Sequence, residues 1–71
     1  MQYTVIYEKG ELAWGAYLPD LPGVIAAGDS REEIESLIRE AVEFHIEGLK
    51  AEGLAVPPPA SSAGTLDIAA A

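Results

Sequence analysis

Seventy-one residues leave room for one small domain, and a chain this short buries only about 60% of the surface its unfolded form exposes. With no cysteine and a single histidine, disulfides, thiolate metal sites and cysteine nucleophiles are excluded and a zinc site is disfavoured, so self-association is the expected remedy for a small core. Twelve acidic residues against four basic ones set the net charge at −8, a balance that repels phosphate backbones and anionic membranes and draws in a basic partner.

The hydrophobic fraction of 49% is still enough for a folded core. No window approaches the ~20 apolar residues of a membrane span. No basic-then-apolar leader follows Met1, so the expected location is cytoplasmic. Asparagine is absent and glutamine occurs once, a depletion of thermolabile residues that points to a thermophilic source.

Gln2 to Glu8 sets Tyr3, Val5 and Tyr7 against Gln2, Thr4, Ile6 and Glu8, the period-two alternation of a strand. Glu8-Lys9-Gly10-Glu11 reads as the turn of a hairpin. Leu12 to Leu18 is the returning strand, with Trp14, Ala16 and Leu18 on one face. Pro19-Asp20-Leu21-Pro22-Gly23 must break it, because two prolines remove ladder donors and Gly23 permits positive φ. Val24 to Ala27 is wholly apolar, as expected of a third strand buried on both faces.

Ser30-Arg31-Glu32-Glu33 fits a capping box, with Ser30 accepting from the Glu33 amide and the Glu33 carboxylate reaching back. At 100° per residue Ile34, Ile38, Ala41, Val42, His45 and Leu49 share one stripe. Gly53 and Leu54 are spaced for a Schellman ending, and three prolines at 57–59 forbid continuation. The helix is therefore predicted from Arg31 to Glu52. At about 33 Å it outruns strands of about 20 Å. Its overhanging end carries Phe44, His45, Ile46, Leu49 and Leu54, which form an oligomer interface unless the C-terminal tail folds back over them. Residues 55–64 read as a proline, alanine and serine linker. Residues 65–71 hold a short fourth strand in which Leu66 and Ile68 alternate with Thr65 and Asp67. The expected fold is thus α+β, β-β-β-α-β, with a core over residues 1–54 and one long helix on one face of the sheet.

Pro19-Asp20-Leu21-Pro22-Gly23, then Gly28-Asp29-Ser30 with Glu32-Glu33 at the helix start, resembles the HicB antitoxin family. Glu43-Phe44-His45-Ile46, Gly53 and Pro57-Pro58 continue the resemblance, which covers about residues 2 to 60. It implies a partial ribonuclease H fold and a partner, HicA, a small basic ribonuclease that the antitoxin binds and occludes. Many HicB proteins carry a DNA-binding segment after this domain. Here a Pro- and Ala-rich tail follows Leu54, so direct nucleic-acid binding by this chain is not expected.

A ribonuclease H fold raises the question of catalysis, which requires carboxylates converging on paired metals. Glu8, Glu11, Asp20 and Asp67 sit mainly at strand ends or turns, so no catalytic residue, metal or cofactor is expected. His45 lacks a ligand or nucleophile at i±3 or i±4 and reads as a packed histidine. The stiff loop residues Asp20, Leu21, Pro22 and Gly23 are the expected partner-binding site. The functional expectation is a HicB-like antitoxin that occludes a HicA-type toxin. The alternative is a stand-alone homo-oligomeric binding module, a dimer or tetramer, and neither is an enzyme.

Overall fold

The computed structural model describes residues 1–69. Three strands, β1 (Ile6–Lys9), β2 (Trp14–Tyr17) and β3 (Ile25–Gly28), precede one helix, α1 (Arg31–Ala51). The strands form an antiparallel meander in the order β1-β2-β3. Tyr7 pairs with Ala16, and Ala16 with Ala26; Ile6 pairs with Tyr17, and Tyr17 with Ile25. The first row faces the helix and the second faces away, as the period-two alternation requires.

The strands are shorter than their alternation suggested, and the hairpin turn lies further along. β1 continues through Lys9, which pairs with Trp14, and the Gly10 N–H donates to the Ala13 carbonyl at 2.9 Å. Leu12, expected to start the second strand, stands at the tip of this loop and is 96% exposed. β3 is not buried on both faces. Its residues alternate, and Ile25 is 73% exposed on the side without a helix.

The helix begins and ends where local chemistry demands. Ser30 Oγ accepts from the Glu33 N–H at 3.2 Å, while Glu33 Oε2 accepts from the Asp29 N–H at 3.2 Å. The reciprocal bond of the capping box therefore reaches one residue further back than the usual pattern. At the other end Leu54 N–H donates to the Leu49 carbonyl and Gly53 N–H to the Lys50 carbonyl. Gly53 has φ +71°. These are the two bonds and the left-handed residue of a Schellman motif.

Ala16, Leu18, Leu21, Val24, Ile34 and Ile38 form the buried core, with Val5, Tyr7, Trp14 and Val42 packed against it. All of the predicted helix stripe faces inward, Ile34 and Ile38 fully and Ala41, Val42, His45 and Leu49 partly. Arg31 binds the helix start to the first strand, with its guanidinium 4.4 Å from the Tyr7 ring centroid and its Nε 3.3 Å from Glu35.

The expected fourth strand does not form among the described residues: Thr65–Ala69 is irregular, with Leu66 86% and Ile68 74% exposed. Alternation supplies a face to bury but no pairing edge, and here no strand lies beside it. Ala70 and Ala71, the end of that expected element, fall outside the described residues.

Gly28 is where sheet and helix approach most closely. A Cβ there would stand 2.9 Å from Ile34 Cγ2 and 3.0 Å from Glu33 Cδ. Gly28→Ala is therefore expected to push the helix start off β3 and to cost about 1–3 kcal/mol. A lowered urea midpoint at unchanged slope checks this, and an unshifted midpoint counts against it.

Candidate functional site

The loop after β2 is built from two consecutive turns. Leu21 N–H donates to the Leu18 carbonyl at 3.3 Å, and Val24 N–H to the Leu21 carbonyl at 3.2 Å. Pro19 and Pro22 occupy the second position of each turn, and Gly23, at φ +89°, is the third residue of the latter. Proline followed by a positive-φ glycine is the pattern of a type II turn. The spacing of three turns Leu18, Leu21 and Val24 to the interior together.

The expected partner-binding residues therefore separate. Leu21 is completely buried and belongs to the core, so it has no surface to offer a partner. Pro22 and Gly23 are exposed at the tip. Asp20 is half-buried and faces the chain's own tail: Oδ2 accepts from the Ala60 N–H at 2.9 Å and the Ser61 N–H at 2.8 Å, and Oδ1 from the Ser61 hydroxyl at 2.8 Å. These bonds hold the Asp20 carboxyl below the ordinary aspartate value, the Ala60 and Ser61 amides first and the Ser61 hydroxyl next.

The tail is pinned from the first strand as well. The Tyr3 hydroxyl donates to the Pro57 carbonyl, and the Thr4 hydroxyl donates to the Ser61 carbonyl at 2.6 Å. The segment expected as a free linker is thus docked between residues 57 and 61. A signal was present in the sequence: Pro57, Pro58 and Pro59 have no N–H, so the first free donors after them are those of Ala60 and Ser61.

Three surfaces remain open. Glu32, Glu35, Glu40, Glu43 and Glu47 are all exposed and give the helix an acidic outer side. At the helix end Phe44 is 78% and Leu54 53% exposed, while His45, Ile46 and Leu49 are half-buried. The docked tail leaves those two apolar residues uncovered. Third, α1 lies over β2 and β3 rather than β1. The inward side of residues 3–7 is left as the floor of a groove of about 600 Å³, with Tyr3, Val5 and Tyr7 on one side and Ile38 and Val42, beside the charged Glu35, Arg39 and Glu43, on the other. Among the described residues no three acidic or histidine side chains are grouped to hold a metal, and no helix is long and apolar enough to cross a membrane.

The family model for the HicB-like antitoxin of bacterial toxin-antitoxin systems matches residues 3–69. A UPF0150 protein of Synechocystis is 47% identical over 57 residues, 78% of this chain and 71% of that protein. An uncharacterized 14.9 kDa protein of Haemophilus phage HP1 is 39% identical over 49 residues, 69% of this chain and 37% of the phage protein. Antitoxin HicB 2 of Photorhabdus laumondii is 36% identical over 42 residues, 59% of this chain and 30% of that antitoxin. This chain matches only about a third of the length of the last two relatives. No solved structure gives a significant match. The match extends from the first strand across the Asp20 turns and the capped helix to the docked tail, and the chain belongs to the HicB-like antitoxin family of bacterial toxin–antitoxin systems.

Proposed function

We propose that this chain neutralises a small basic ribonuclease of the HicA type by binding and covering it, without chemistry of its own. The acidic outer side of α1 carries the reading. Its five exposed glutamates outnumber the exposed Arg31, Arg39 and Lys50 on the same rigid element, so its field is net negative, which speeds the capture of a positively charged protein. Individual exposed ion pairs are worth only about 0–1 kcal/mol, so affinity rests on apolar anchors and on the stiff Pro22–Gly23 tip. A toxin surface evolved to hold RNA phosphates is complementary to this field, and covering it excludes the RNA sterically.

The test is co-expression with a HicA-type toxin encoded beside the gene, followed by binding measured across salt. The expected results are rescued growth and an association rate that falls as salt rises. Changing Glu35, Glu40 and Glu43 together to lysine should slow association by at least about tenfold. Toxicity that persists, with no complex at low salt, would overturn the reading.

The exposed Phe44 and Leu54 favour a second reading, a stand-alone homo-oligomeric module joined through its helix ends. That reading survives if no toxin binds and the chain nevertheless assembles.

A further inference from the structure

We propose that residues 62–69 form an exchange arm, which adds as a strand to the free edge of β1 in a second copy of this chain and places Leu66 and Ile68 in that copy's groove. The receiving site is visible in one chain. β1 has β2 on one side and no strand on the other among the described residues. Beneath that edge lies the groove floored by Tyr3, Val5 and Tyr7, which α1 leaves uncovered. The strand side of this trough is Tyr3, Val5 and Tyr7, and its helix side sets Ile38 and Val42 beside Glu35, Arg39 and Glu43. An open edge above such a mixed trough suits an extended segment with apolar residues on one face and polar ones on the other.

The arm has that pattern and lacks a place to satisfy it. Leu66 is 86% and Ile68 74% exposed, so neither enters the groove of its own chain. Its root is fixed, because Asp20 and Thr4 hold Ala60 and Ser61. From there eight residues reach about 26 Å when extended, well beyond the 16 Å thickness of the molecule.

Charge makes this segment the tolerable contact between two copies. Two chains at −8 repel, yet residues 62–69 carry only one of the twelve acids, Asp67. With Leu66 and Ile68 turned into the trough, alternation turns Asp67 to the opposite face, away from Glu35 and Glu43 on the helix wall. Among the described residues a single chain buries only six apolar residues, the shortfall that association relieves in small domains. Reciprocal exchange about a two-fold axis fills both grooves and closes the assembly.

Sedimentation of the full chain is expected to give a dimer. L66D/I68D alters two side chains that the single chain leaves exposed, and it should weaken dimerisation at least ~100-fold. F44E should leave the dimer intact. Because the natural chain has no cysteine, E8C and D67C chains can be mixed and oxidised to read the geometry directly. A mixed disulfide dimer of one E8C and one D67C chain is the expected product. A monomeric natural chain overturns the proposal, as does a dimer that survives L66D/I68D or is lost in F44E alone. So does an E8C/D67C double variant that closes its disulfide within one chain, which would place the arm in its own groove. None of these readouts involves a toxin, so they stand or fall separately from the antitoxin reading.

Discussion

Ile34→Ala is expected to unfold most of the molecules at room temperature. Ile34 is completely buried at the first turn of the helix, where Gly28 brings β3 against it. Isoleucine to alanine at such a site costs about 2–5 kcal/mol, through lost burial and the cavity left behind. A core in a chain of this size supplies only about 3–5 kcal/mol in total. Here one side chain therefore decides the folded population, whereas a larger domain would tolerate the same change. Ile25→Ala is the matched control, because Ile25 is 73% exposed on the open side of the sheet and its loss should stay within about 0.5 kcal/mol. Urea titrations of both variants check the pair. Equal midpoints would mean that the helix–sheet contact at Ile34 does not carry the stability assigned to it.

Where a physical signal is local, the sequence reveals the structure closely. The capping box, the stripe from Ile34 to Leu49 and the Gly53–Leu54 stop each depend on residues a few positions apart, and all three are present. The strands are legible in their facing but not in their ends. Alternation groups Val5 with Tyr7 and Trp14 with Ala16, and each group does share a face, which the structure turns to the core. It cannot fix where pairing stops, which depends on the register across the hairpin and on the Gly10–Ala13 closure. The run Val24 to Ala27 misled for a related reason. Continuous apolarity fits a strand covered on both faces, but a three-stranded sheet with one helix leaves Ile25 and Ala27 open. Leu66 and Ile68 show the same limit, for alternation without a neighbouring edge leaves a segment that is ready to pair and unpaired.

The candidate site was harder to read because its contacts are long-range. Leu21 lies inside a motif rich in prolines and polar residues, which suggested a surface loop. Its spacing of three from both Leu18 and Val24 is what turns it inward once each proline has set a turn. Asp20 looked free because its partners, Ala60 and Ser61, lie about forty residues away in a segment of low complexity. The acidic helix face was legible, since charges at exposed helical positions follow from the same periodicity that places the core.

Asp20→Ala should release the tail from the core at neutral pH. The carboxylate accepts three donors at 2.8–2.9 Å, two of them backbone N–H groups at the first positions after three prolines. Alanine removes both accepting oxygens at once, whereas asparagine could still take both amides on its one oxygen and donate its NH₂ to the Ser61 hydroxyl. The docked state should also depend on acidity in a defined direction. Hydrogen bonds to the charged form hold the Asp20 carboxyl below its ordinary value of 3.8, so the native state binds the proton less readily than the unfolded chain. Docking is then complete above that ordinary value and is lost as pH falls through the lowered one. Amide exchange at Ala60 and Ser61 reports this directly. In the natural chain the two amides should be protected at neutral pH and lose protection in strong acid, whereas in Asp20→Ala they should be unprotected throughout relative to their intrinsic rates. Equal protection in both chains at neutral pH would show that the Tyr3 and Thr4 hydroxyls alone hold the segment, and Asp20 would then be available to a partner after all.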